Sequence, residues 1–134
     1  MKLTLILLPV IIVSLFACDN NDIEKIELAN GVYKGTFYRT SPTADWMVSN
    51  VTLTLDNGSY TGESDIAKYP AICRGSYTVS GQSVEFTNEC PWTAEFDWTF
   101  ILSGSFKIAF NGSEITLTRV YDANTFDTYK LKRQ

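Results

Sequence analysis

The chain has 134 residues, 45% of them hydrophobic, and carries 11 basic and 15 acidic side chains for a formal net charge of −4. This size and composition suit one domain with a real core, and the scattered basic residues argue against a nucleic-acid partner. Histidine is absent, which excludes histidine general bases, Ser–His and Cys–His nucleophile pairs, and histidine metal ligands.

Residues 1–17 are typical of a bacterial lipoprotein signal peptide. Lys2 supplies a basic start, and residues 3–17 form an apolar run shorter than the roughly 20 residues of a spanning helix. The end of the run, Leu15-Phe16-Ala17-Cys18, resembles a lipobox. In proteins with this motif the chain is cut before the cysteine, which then carries diacylglycerol on sulfur and a fatty acyl group such as palmitate on its amino group. Cys18 is the predicted lipidation site; the alternative is an ordinary secreted protein.

Residues 18–29 are polar and acidic, which predicts a flexible tether. Asp19, Asp22 and Glu24 loosely resemble the acidic surface-export signal of some Gram-negative lipoproteins, and a solvated linker explains them equally well. We therefore expect an outer-membrane lipoprotein of the cell envelope, facing the periplasm or the outside and bound to the membrane through its acyl groups.

From residue 30 the hydrophobic pattern has period two, with turn residues between short runs. It predicts an all-β domain over 30–134, an antiparallel meander of eight to nine strands that forms a barrel. The candidate strands are 32–39, 47–56, 59–63, 72–80, 83–90, 95–102, 106–110, 113–120 and 126–133.

Turn chemistry predicts how these strands pair. Asn57-Gly58 and Asn111-Gly112 suit two-residue type I′ turns, and a three-residue turn over 103–105 keeps apolar partners together. The expected pairs are Leu55 with Tyr60, Phe100 with Ile108, Leu102 with Phe106, Ile108 with Ile115, and Phe106 with Leu117.

The hairpin around Gly81-Gln82 predicts a disulfide. A type II′ turn at this position places Tyr77 opposite Phe86 and, further out, Cys73 opposite Cys90 in a non-hydrogen-bonded pair, whose Cα atoms lie within disulfide range. An exported chain meets an oxidising compartment, so we expect a Cys73–Cys90 bond; the alternative is two buried free thiols.

Successive strands of an antiparallel meander run in opposite directions, so alternate connections lie at the same end of the barrel. This order predicts that the two ends of the barrel differ. The turns at 57–58, 81–82 and 103–105 fall at one end, where the tether also enters, and the connections at 40–46, 64–71 and 91–94 fall at the other. These connections gather Pro70 and three aromatic residues at one rim. The predicted ligand-binding residues are Trp46, Tyr69 and Trp92, although Trp46 and Trp92 could equally plug the barrel.

Aromatic residues alternate with polar ones along most strands, so we expect them to fill the barrel and leave little room for a large cavity. The expected core rings are at 37, 60, 77, 86, 96, 98, 100, 106, 110 and 129. Glu95 and Asp97 form a carboxylate pair, but their alternation with Phe96 and Trp98 turns them outward. The sequence thus predicts no catalytic residue, no metal site, no cofactor and no enzyme.

The opening GVYKGTF and the closing FDTYKLKRQ are similar to the first and last strands of small lipocalin-like, calycin-type lipoproteins of Gram-negative bacteria. The resemblance covers about residues 30–134 and implies a barrel, usually of eight strands, that binds at its mouth. It suggests an envelope module for a small apolar or glycan ligand, or an interaction or inhibitor lipoprotein that binds another envelope protein through its aromatic rim.

Overall fold

The computed structural model describes residues 25–134, which form a closed antiparallel barrel of eight strands. Each strand pairs with the next along the chain, and β8 pairs with β1 to close the barrel. The predicted all-β meander is therefore confirmed. Residues 1–24, which include the predicted signal peptide, Cys18 and the first part of the tether, lie outside the described residues. The strands are β1 Gly31–Thr40, β2 Ser49–Asp56, β3 Ser59–Ser64, β4 Arg74–Ser80, β5 Ser83–Asn88, β6 Gly104–Asn111, β7 Glu114–Val120 and β8 Phe126–Arg133.

The two ends of the barrel differ as expected for the turns at 57–58 and 81–82, but residues 103–105, predicted as a third tight turn at the same end, lie at the opposite end. At one end, here called the closed end, β2–β3, β4–β5 and β6–β7 are joined by two-residue turns. At the other, the open end, the connections are 41–48, 65–73, 89–103 and 121–125. Residues 25–30 approach β1 at the closed end, where Leu28 is buried and Tyr33 donates a hydrogen bond to the Ala29 carbonyl oxygen over 2.6 Å. The long connections are therefore gathered at the end of the barrel opposite to residues 25–30.

The predicted strand 95–102 is wrong. This stretch lies within the 89–103 connection and contains a short 3-10 helix, Trp98–Phe100. Asp97 ends the extended chain because its carboxylate accepts a hydrogen bond from the Thr99 backbone N–H over 2.9 Å, which caps the helical turn. The three-residue turn at 103–105 is absent as well, since β6 already begins at Gly104, and the expected pairs of Phe100 and Leu102 do not form.

The β6–β7 hairpin turns one residue later than predicted. Its turn is Gly112-Ser113, with the positive φ of 61° carried by Gly112, so Ile108 faces Leu117 and Phe110 faces Ile115. Each residue of β6 thus pairs with a residue two positions further along β7 than predicted. Because side chains alternate with a period of two, the same residues of both strands still point into the barrel. By contrast, Asn57-Gly58 has positive φ at both positions and places Leu55 opposite Tyr60, as predicted.

The barrel interior is filled by side chains. The buried aromatic rings include Phe37, Tyr60, Phe86, Phe106 and Tyr129, and a cavity among core residues at the base holds only about 10 Å³. Gly35 lets β1 approach β8 closely, since a Cβ there would clash with the Lys130 carbonyl oxygen. Three expected core rings lie outside the core. Trp98 is exposed because it belongs to the 3-10 helix, and Phe110 is exposed because it lies at the closed end of β6. Phe96, in the 89–103 connection, is only partly buried.

The predicted disulfide is confirmed. Cys73 and Cys90 are bonded, with a Cα–Cα distance of 6.3 Å, and Tyr77 faces Phe86 as expected. Both cysteines lie just beyond the paired residues of β4 and β5, so the bond ties together two connections of the open end. Within residues 25–134, no helix is long and apolar enough to cross a membrane.

Candidate functional site

The connection 65–73 is held over the barrel mouth by Asp65. Its carboxylate accepts hydrogen bonds from the Ser49 hydroxyl over 2.8 Å, the Asn50 backbone N–H over 2.8 Å and the Asn50 side-chain amide over 2.7 Å. These hydrogen bonds lower the pKa of Asp65, so the carboxylate stays ionised and keeps the start of the loop fixed to β2. The fixed start places residues 66–69 beside the mouth.

The connection 89–103 is bonded to the same loop. Ala71 donates its backbone N–H to the Phe100 carbonyl oxygen over 2.9 Å, and Leu102 donates to the Ala71 carbonyl oxygen over 3.0 Å. These two bonds form a short parallel bridge between Ala71 and Ile101. The two loops therefore form one surface, although they lie far apart in the sequence.

Aromatic rings close the mouth of the barrel. Tyr69 packs edge-on against Phe37 of the core, with ring centroids 5.1 Å apart, and against Phe100 at 4.9 Å. Trp46 lies above them, stacked on Tyr69 at 5.7 Å and edge-on to Phe100 at 5.2 Å. Tyr69 is buried whereas Trp46 is 41% exposed, so Trp46 is the outermost ring of a stack that begins in the core.

A cleft of about 490 Å³, here called the rim cleft, opens beside this stack. Its lining combines aromatic and aliphatic side chains with three charged groups, and this mixture is typical of small-ligand sites. The lining residues are Asp45, Trp46, Met47, Ile66, Ala67, Lys68, Tyr69, Phe96, Asp97 and Phe100.

A buried ion pair lies directly beneath the rim cleft. Arg39 of β1 donates from Nε to Asp127 Oδ1 over 2.6 Å and from Nη2 to Asp127 Oδ2 over 2.9 Å. The guanidinium carbon lies 3.9 Å from the centroid of the Phe100 ring, and Nη1 contacts Asp97 of the rim cleft at 3.4 Å. The ion pair thus links the top of the core to the floor of the cleft.

Tyr121 completes this polar layer. Its hydroxyl lies 2.8 Å from Asp127 Oδ2 and 2.9 Å from the Thr99 carbonyl oxygen. Burial, followed by the charge of Asp127 and the hydrogen bond to it, raises the pKa of Tyr121 to about 12. Burial lowers the pKa of Arg39, because it disfavours the charged guanidinium. The hydrogen bond to Asp127 and the charge of Asp127 raise this pKa by more, so the pKa of Arg39 is raised.

The sequence reasoning missed this layer, although the signal was present. Phe37 and Arg39 share the inward face of β1, and Asp127 and Tyr129 share the inward face of β8, so each strand carries a charge at an inward position. Two opposite charges at inward positions of predicted strands indicate a buried pair, because a single buried charge is costly.

The structure brings together two of the three predicted rim residues. Trp46 and Tyr69 stack, but Trp92 lies elsewhere, with its ring centroid 5.8 Å from that of Phe96 and its indole N–H donating to Asn88 Oδ1 over 3.1 Å. Trp92 lines a separate concavity of about 560 Å³ next to the disulfide, together with Trp98. Pro70 is buried.

Glu95 and Asp97 do not form a matched carboxylate pair. Glu95 is exposed, and its pKa is lowered by a hydrogen bond from the Thr93 side chain and by the charge of Lys68, whereas Asp97 is engaged by Thr99 and Arg39. Among the residues that the structure describes, no three Cys, Asp or Glu side chains are grouped as a metal site.

The fold and this site define a filled, closed β-barrel whose open end carries an aromatic and acidic cleft. Comparison with protein-family models, with curated proteins and with solved structures finds no match for the chain.

Proposed function

We propose that this protein is a lipid-anchored binding module of the cell envelope that holds a small ligand, such as a glycan, in the rim cleft. The observation that carries the proposal is the cleft itself: about 490 Å³, with the half-exposed Trp46 ring beside the carboxylates of Asp45 and Asp97. Aromatic faces and convergent polar groups are the elements that bind a small amphipathic molecule.

Because the barrel interior is filled by side chains, a ligand has to bind outside it. The lipocalin-like resemblance implied a ligand at the mouth, and a cavity of about 10 Å³ at the base is far smaller than the roughly 300 Å³ that a ligand site needs. The ligand of this proposal therefore binds on top of the barrel, at the end opposite to the one where residues 25–30 lead into β1.

A second candidate function is the binding of another envelope protein. Met47, Val48 and Trp98 are 65%, 60% and 55% exposed at the open end, and exposed apolar groups of this kind mark protein contacts. Met47 also lines the rim cleft, so this surface would be continuous with the cleft.

Native mass spectrometry of the full acylated protein, extracted from its own envelope, tests the first function. We expect a retained small molecule that is lost in Trp46→Ala and kept in Phe110→Ala, a matched change of a ring that is 49% exposed at the closed end. Equal retention in both variants would contradict the rim cleft as the site. Retention of a protein but of no small molecule would favour the second function.

A further inference from the structure

We propose that the rim cleft selects a compact organic cation, an amine or a quaternary ammonium group, which takes the place of the Lys68 ammonium at the ring of Phe96. This inference rests on the proposed function, since it names the chemistry of the ligand that the same cleft would hold. It is carried by the charges of the open end and by the contacts that cations of the chain already make there.

The open end is acidic. The four connections at this end carry six acidic residues and one basic residue, Lys68; the acidic residues, all exposed, are Asp45, Asp65, Glu89, Glu95, Asp97 and Asp122. Asp45 and Asp97 line the rim cleft. The excess of acidic over basic residues in these connections favours ligands of positive charge.

The rings of the cleft already bind cations from the chain itself. Lys68 Nζ lies 5.0 Å from the Phe96 centroid, and the Arg39 guanidinium lies over Phe100 from below. Aromatic faces attract cations through the negative potential of the ring, and quaternary ammonium groups are bound in this way. Trp46 offers the best ring for such contact, and no cation of residues 25–134 lies over it.

Lys68 reaches the Phe96 ring from an uncommon backbone conformation and through one hydrogen bond. It has a φ of 60°, in the left-handed region that residues with a Cβ rarely adopt, and its ammonium donates to Thr93 Oγ1 over 3.2 Å. The site therefore contains a tethered cation at the edge of the cleft, and a free cation that binds the Phe96 ring would take its place.

A comparison of choline with its uncharged isostere 3,3-dimethylbutan-1-ol shows whether the cleft recognises the charge of a ligand or only its shape. The full chain, in a polyoxyethylene detergent that offers neither sugar nor cation, is titrated with each at fixed ionic strength, and the indole ¹H–¹⁵N signals of its three tryptophans are followed. The Trp46 signal is expected to shift with an affinity about tenfold higher for choline than for the isostere. Equal affinities would overturn the inference while leaving the cleft a ligand site. No shift of Trp46 with either compound would overturn it too, and the retained-ligand experiment then decides the proposed function separately.

Removing the internal cation gives the sharper test. Lys68→Met is expected to raise the affinity for choline about threefold or more and to leave that for the isostere unchanged, whereas Lys107→Met, an exposed lysine on β6, changes neither. Asp45→Asn is expected to weaken choline binding. If Lys68→Met weakens choline binding instead, Lys68 is part of the site and the cation inference is wrong. A cooperative thermal transition in each variant verifies that it is folded.

Discussion

Asp127 is expected to be the most sensitive polar position of the barrel. Its side chain is 2% exposed, and it accepts hydrogen bonds from Arg39 Nε, Arg39 Nη2 and the Tyr121 hydroxyl. Asp127→Asn keeps the shape but removes the buried counter-charge of the Arg39 guanidinium, itself 7% exposed, and leaves it only the half-exposed carboxylate of Asp97 at 3.4 Å. Removing one partner of a buried pair costs about 3–5 kcal/mol, which is a large part of the roughly 5–15 kcal/mol that stabilises a domain.

Urea unfolding at neutral pH measures this loss as a lower midpoint with an unchanged slope. Glu85→Gln, an exposed carboxylate of β5, serves as the control and is expected to change the free energy of unfolding by less than about 0.5 kcal/mol. The double variant Arg39→Met with Asp127→Leu is expected to be more stable than the sum of its single changes, by about 2 kcal/mol or more. A cost below about 1 kcal/mol for Asp127→Asn, or strict additivity, would refute the assignment of a tightly coupled pair.

The remaining predictions concern covalent and proton chemistry. Cys73→Ser is expected to lower the free energy of unfolding by about 3 kcal/mol, and reducing the wild type should lower its urea midpoint by a similar amount; no change on reduction would contradict this. Cys18→Ser should abolish incorporation of an alkyne-labelled fatty acid and release the protein from the membrane fraction, and persistent labelling would rule out Cys18. Tyr60 and Tyr121 have a pKa raised to about 12, the first by burial and then by the charge of Glu89, the second mainly by burial. Since an unfolded tyrosine ionises near pH 10, the stability they provide is complete below about pH 10 and is lost as pH rises to about 12. Ultraviolet titration of phenolate together with urea unfolding across this range checks it, and tyrosines that all titrate near pH 10 in the folded protein would contradict it.

Periodicity and turn chemistry predicted most of the barrel because each hairpin had its own signal. Asn57-Gly58 and Gly81-Gln82 set their registers, and the second of these located the disulfide without any knowledge of the fold. The register at Asn111 could not be fixed in this way. Two registers in which one strand is moved by two residues bury the same side chains, so the hydrophobic pattern does not distinguish between them.

The open end was harder to predict, since its structure depends on contacts between distant residues. Residues 95–102 alternate in polarity like a strand, yet the hydrogen bond that Asp97 accepts from Thr99 and the packing of Phe100 on Phe37 fold them into a helical turn. Trp46 and Tyr69 were predicted to lie at one rim, but their stacking, and the separation of Trp92 from them, follow from that folded connection.

The return of β8 to the closed end has a practical consequence for the study of this protein. The backbone N–H of Gln134 donates to the Val32 carbonyl oxygen over 2.9 Å, so the last described residue lies beside the first strand at the base. A fluorescent reporter fused after Gln134 would therefore lie at the closed end of the barrel and leave the rim cleft uncovered. Such a fusion allows ligand capture to be measured on whole cells or vesicles by a signal that does not depend on the tryptophans of the site.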